Sequence, residues 1–151
     1  MVEISDLFSV KRMNFNSSVK TKLEIIDELI ELLVFDDKIS DRAEFKKAVL
    51  FREEQVSTGI GMSIAIPHAK GSMVKEAAIA FIKCRNEIEF YSIDNEPARL
   101  FFIIAVPEGE SEIHLKVISS IARRLMHKVT REALMNCETY EEFINIMMPI
   151  K

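Results

Sequence analysis

Apolar positions along the chain follow two rhythms. Leu23, Ile26, Leu29, Ile30 and Leu33 recur at three- and four-residue steps, the spacing that lines one face of an α-helix. Ser17 or Ser18 stands ahead of them as a capping residue, so a helix is expected from there through Leu33. Asp41-Arg-Ala-Glu44 has the form of a capping box and predicts a second helix to about Glu54, with Phe45, Val49 and Leu50 inward and Arg52 in the last turn. Toward the C-terminus helices are expected over 113–127 and 130–136, and Thr139-Tyr-Glu-Glu142 opens a last one.

The second rhythm is near-continuous apolarity. Ala77 to Cys84 and Arg99 to Val106 are rich in Ile, Phe and Val, as in central strands covered on both faces. A strand is also expected within Val10 to Phe15 and a short one at Ile88-Glu-Phe90, with a turn at Ile93-Asp-Asn-Glu-Pro97, so that 88–104 holds an antiparallel hairpin. Ile64-Ala-Ile66 reads as a buried strand ended by Pro67, which lacks a ladder donor and leaves His68 at the exposed strand end. Val56 to Ser63 is rich in Ser, Thr and Gly and reads as a loop, as does the acidic Glu108-Gly-Glu-Ser-Glu112. Together these elements predict an α/β sandwich, a mixed central β-sheet flanked by helices on both faces. No repeat, low-complexity tract or linker divides it, and residues 1–151 are expected to form a single domain.

Composition narrows the class. The chain has 151 residues, 48% hydrophobic and 29% charged, enough to bury a core without disulfides or metals. No apolar stretch approaches the roughly 20 residues of a membrane helix, and the N-terminus lacks the basic-then-apolar order of a signal peptide. A soluble cytoplasmic protein with no membrane insertion is expected. The net charge of -4 argues against a nucleic-acid surface and leaves proteins or small molecules as partners. Cys84 and Cys137 have no metal-ligand or disulfide spacing and read as buried thiols.

Candidate chemistry rests on few residues. His68 follows the strand at 64–66, and His114 lies in the first turn of the helix after the strand at 99–106. Open α/β sheets gather function at strand ends, so the fold has a means of bringing these histidines together. Each also has an ordinary reading, His68 as a turn residue and His114 as a helix-end residue. His127, beside Lys128 at a helix C-terminus, is accounted for by the helix dipole. Arg52 also fits a solvated charged face, and Met147-Met148 fits core packing.

Arg52-Glu-Glu54, Ser57-Thr-Gly-Ile-Gly61 and Ile64-Ala-Ile-Pro-His-Ala69 in this order resemble the active-site signature of the enzyme IIA domains of the fructose and mannitol class of the bacterial sugar phosphotransferase system. Glu53 stands at the usual distance before Ile60-Gly61. The likeness continues through Asp94-x-x-Pro97, Ile113-His-Leu115 and the last Thr-x-x-Glu helix, covering about residues 5–148. Two departures are visible: Met62 stands where a polar or small residue is more usual, and Asn95 where glycine is common, although Asn tolerates the left-handed conformation.

The resemblance implies that His68 accepts a phosphoryl group from the phosphocarrier HPr and passes it to a cysteine of an enzyme IIB, with a IIC permease downstream. It assigns Arg52 and His114 to phosphoryl stabilisation and implies no cofactor and no metal. The Gly-rich composition adds Ser57, Thr58, Gly59 and Gly61 as candidates for a phosphate loop. Exposed apolar character adds Ile60 and Met62 as candidates for partner docking. A nitrogen-type regulatory IIA module is the alternative. A metal-dependent hydrolase is disfavoured, because no H-x-H or H-E-x-x-H spacing supplies the ligands.

Overall fold

The computed structural model describes residues 4–148. Short 3-10 turns at Ile4–Leu7 and Val10–Arg12 lead into β1 (Met13–Ser17), followed by α1 (Lys22–Phe35) and α2 (Arg42–Gln55). Then come β2 (Gly59–Gly61), β3 (Ile64–Ala65), β4 (His68–Gly71), β5 (Ala78–Ile88) and β6 (Ala98–Pro107). Helices α3 (Ser111–Leu125), α4 (Lys128–Asn136) and α5 (Tyr140–Met147) close the chain.

The sheet is mixed, in the order β1-β5-β6-β3-β2, with β4 also on β6. β5 and β6 pair antiparallel, so the hairpin is built from the two long apolar runs themselves rather than from 88–104 alone, whereas β1 lies parallel to β5, and β3 and β4 both run parallel to β6. Alternation along β6 sends Leu100, Phe102, Ile104 and Val106 to one face and Phe101, Ile103 and Ala105 to the other. The first set packs with α3, α4, α5 and the N-terminal turns; the second packs with α1 and α2. The helices therefore cover both faces of the sheet, as expected.

Several boundaries differ from the sequence reading, each for a local reason. The helix expected after Ser17 or Ser18 begins at Lys22, because Thr21 and Glu24 form the reciprocal capping box and Ser17 belongs to β1. Its inward face includes Ile25, while Leu23 is 56% exposed. The expected strand over 10–15 starts only at Met13, since Ser9 caps a 3-10 turn ahead of it. Ile88 joins β5 rather than a separate strand. The Val56 to Ser63 loop contains an antiparallel hairpin instead: β2 pairs with β3 around Met62 and Ser63, both at positive φ (56° and 70°) as two-residue hairpin turns require. His127 is the N-cap of α4 rather than a residue of a helix C-terminus, with no side-chain capping bond.

One difference bears on function. The chain does not leave the sheet at Pro67. β6 spans ten residues, so its edge has room beyond β3, and the chain resumes alongside it as β4. Pro67 is an interruption between two strands, and His68 opens the second in register with Ile104. His68 is accordingly half-buried rather than at a bare strand end.

Candidate functional site

The site forms where α2, β4 and α3 meet. Ala69 packs into the α1/α2 core, so strand alternation turns His68 and Lys70 to the opposite face, toward α3. His114 comes down from the first turn of α3, and the two imidazoles meet edge to face with centroids 5.1 Å apart. Lys70 Nζ donates to Ser111 Oγ at 2.7 Å, tying β4 to the start of α3.

Arg52 arrives from the last turn of α2 and donates through Nη1 to the Val56 carbonyl at 2.6 Å. This closes the helix end with one nitrogen of the guanidinium fork. Its charge reaches both imidazoles and lowers the pKa of each.

His68 Nδ1 lies 2.8 Å from the Ile66 carbonyl oxygen. A carbonyl only accepts, so Nδ1 carries the proton and the lone pair resides on Nε2. Burial is the largest cause holding the His68 pKa below its ordinary value, with the Ile66 bond and Glu53 acting against it. His114 is pushed down further, to about 4, by burial and then by the charges of His68, Lys70 and Arg52. Its Nε2 is buried and has no hydrogen-bond partner. Both rings are therefore neutral at neutral pH: one presents a free lone pair, and the other an unused ring nitrogen.

The Gly-rich segment is firmly held by its own contacts. The Thr58 amide donates to the Glu53 carboxylate at 3.2 and 3.3 Å, and the Gly59 amide donates to Ser57 Oγ at 3.0 Å. Those two amides already have acceptors. Gly59 allows close approach, since a Cβ there would lie 2.2 Å from Ser92 Oγ, and Gly61 adopts φ +90°. Asp94 Oδ2 accepts from the Met62 amide at 2.9 Å, bracing the β2–β3 hairpin, while Asn95 takes the left-handed φ of 60°. Met62 is 42% exposed, whereas Ile60 is half-buried and packs against the α3-side core.

Sequence reasoning noted Glu53 but passed over its partner Lys22, whose Nζ lies 2.9 Å from Glu53 Oε2, and Lys70, which bonds Ser111. The alternation of β4 was the signal for Lys70, which lies two residues after His68. Cys84 and Cys137 are both buried free thiols, and burial raises their pKa, that of Cys84 to about 12. Among the described residues no group of three or more His, Cys, Asp or Glu is placed to hold a metal ion, and no helix is long and apolar enough to cross a membrane.

Residues 6–148 match the family described as "Phosphoenolpyruvate-dependent sugar phosphotransferase system, EIIA 2". A fructose-specific EIIA component of Haloferax volcanii is 32% identical over 150 residues, covering 99% of this chain and 97% of that protein. A fructose-specific EIIABC component of Bacillus subtilis is 38% identical over 146 residues, which are 97% of this chain and 23% of the longer protein. Among solved structures, the nitrogen regulatory protein IIA-Ntr of Neisseria meningitidis superposes with a TM-score of 0.90 at 32% identity, covering 96% of this chain and 99% of that one.

Proposed function

The chain belongs to the EIIA 2 family of the phosphoenolpyruvate-dependent sugar phosphotransferase system, and we propose that His68 is the residue through which it relays the phosphoryl group. The protein is a phosphotransfer subunit of that system, taking phosphate from HPr and passing it to an enzyme IIB. The observation that carries the residue assignment is the Nδ1 bond to Ile66, which leaves Nε2 of His68 as the nucleophile beside His114.

The step balances without an external base. The Nε2 lone pair attacks phosphorus on the donor phosphohistidine, a new N–P bond forms, and the broken N–P bond returns its electron pair to the donor ring. The group then leaves for a cysteine thiolate of IIB, where an S–P bond forms as the Nε2–P bond breaks and returns its electron pair to the His68 ring. The transition state is loose and spreads charge over the phosphoryl oxygens, so positioned donors matter most. Arg52 supplies a planar fork of N–H donors that a lysine does not reproduce. Neutral His114 supplies one N–H to a phosphoryl oxygen, which would satisfy the ring nitrogen that is buried without a partner.

Ser57, Thr58, Gly59 and Gly61 shape the wall of the site, with the Thr58 and Gly59 amides committed to holding that wall rather than to phosphate. Met62, with Ile60 beneath it, forms part of the surface on which HPr and IIB dock in turn on the cytoplasmic side. Residues 1–151 act as one IIA unit. The sugar is read by the permease, and the two fructose-named relatives favour a fructose-class permease.

A regulatory role of the nitrogen type is the second reading, favoured by the 0.90 superposition on IIA-Ntr. Transfer separates the two. Phosphorylated protein mixed with a fructose-class IIB is expected to lose its phosphoryl group to the IIB cysteine. Retention of the group on His68 in the presence of that IIB would favour the regulatory reading.

A further inference from the structure

Glu53 is a buried carboxylate that the transfer chemistry does not touch. It lies on the turn of α2 that carries Arg52, its side chain is 5% exposed, and it is fully engaged. Lys22 Nζ pairs with Oε2 at 2.9 Å, the Thr58 amide donates to both oxygens, and the Thr58 hydroxyl donates to Oε1. Lys22 is itself anchored, donating to the Phe90 carbonyl at 3.1 Å and lying 4.3 Å from the centroid of the Phe90 ring. Ser57 Oγ donates to the same carbonyl at 2.9 Å, so the Ser57–Thr58 segment is fixed on two sides.

From Thr58 the contacts run to the nucleophile. The Thr58 carbonyl accepts the Ile66 amide at 2.9 Å, and the Ile66 carbonyl accepts Nδ1–H of His68 at 2.8 Å. We propose that Glu53 is a positioning residue for His68: held by Lys22, it pins Thr58, and through Thr58 it fixes the Ile66 carbonyl that orients the ring with Nε2 outward. This rests on His68 being the relay residue.

The carboxylate also acts through its charge. The charged and titratable groups about His68 are Arg52 and Glu53 from α2, His114 from α3, and Lys70 two residues along β4. Of these four, Glu53 alone is negative. It opposes the Arg52 charge at the imidazole, and a ring that holds Nδ1–H while Nε2 carries phosphorus is positive and gains from a nearby anion. Glutamine keeps one acceptor oxygen for the Thr58 donors at Oε1 but gives up the Lys22 pair and the negative charge, so it separates the Thr58 contact from the charge.

The test is nitrogen NMR of histidine-labelled, unphosphorylated full chain across pH, for wild type, Glu53→Gln and Glu53→Ala. Wild-type His68 is expected as the Nδ1–H tautomer. Glu53→Gln is expected to keep that tautomer and shift the His68 titration midpoint downward, while Glu53→Ala admits the Nε2–H tautomer. An unchanged midpoint in Glu53→Gln, or a wild-type tautomer population in folded Glu53→Ala, would overturn the proposal. If Glu53→Ala does not fold, the Glu53→Gln midpoint decides. No phosphate donor is involved, so failure of the wild type to accept phosphate would contradict the relay reading while leaving this result intact.

Discussion

The imidazole rings of His68 and His114 meet edge to face, centroids 5.1 Å apart, although one opens β4 and the other rides the first turn of α3. Two imidazolium ions at that separation would repel in a partly buried site, and each ring is held below its ordinary pKa. The consequences of that pairing can be measured in stability and in rate.

Stability should depend on pH in a set direction. The unfolded chain protonates these histidines near the ordinary value of about 6.5, while folded His114 resists until about 4. Between those limits the unfolded state binds more protons, so stability is complete above the upper one and is lost as pH falls toward the lower one. Urea unfolding at a series of pH values should show this decline, and His114→Gln should flatten it.

On the proposed relay, accepting phosphate requires a neutral His68. Because burial lowers its pKa, the acid limb of acceptance from phospho-HPr should lie at lower pH than that of an exposed histidine, whose ordinary value is about 6.5. Quenched-flow labelling of His68 against a small imidazole acceptor would compare the two acid limbs directly.

On the proposed relay, Arg52 gives the transition state a charged hydrogen bond, worth about 1.5–3 kcal/mol. Arg52→Gln should slow transfer by about 10- to 150-fold, and Arg52→Lys should recover only part of that loss because the ammonium lacks the planar fork. Circular dichroism should show a folded protein in both variants.

Lys83 tests the fold apart from the site. It is buried on β5, donating to the Met135 carbonyl at 2.9 Å and to that of Cys137, and so closes the end of α4. Lys83→Ala leaves those acceptors without a donor and should cost about 1–3 kcal/mol per orphaned group in denaturant unfolding. The transfer rate of the folded fraction should be unchanged.

Met62 is the clean probe of docking, because Ile60 is partly committed to the core. Met62→Asp should raise KM for phospho-HPr and leave kcat close to wild type. Equal kinetics in steady-state assays would remove Met62 from the docking surface.

What the sequence revealed follows from where each signal is stored. The apolar runs of β5 and β6 and the box at Asp41 are local patterns, and they gave the sandwich and α2 directly. The start of α1 was misplaced because two serines were read as caps while Thr21-Lys-Leu-Glu24 holds the reciprocal box. Pro67 was read as an end because a proline removes a donor, but the continuing edge of β6 lies far along the chain and appears in no local window. The same limit hid the path from Lys22 through Glu53 to Thr58 and Ile66, which joins α1, α2 and the segments flanking the β2–β3 hairpin only once they are folded together. His68, Arg52 and His114 were visible because their neighbours form a recognisable order, whereas their spacing from one another is set by the sheet.

The most direct test of the relay is intact-mass spectrometry after incubation with phosphoenolpyruvate, enzyme I and HPr, comparing wild type with His68→Ala before and after an acid wash. The expected result is one acid-labile phosphoryl group on wild type and none on the variant. Equal phosphorylation of His68→Ala, or none on wild type, would contradict the assignment of His68 as the relay residue.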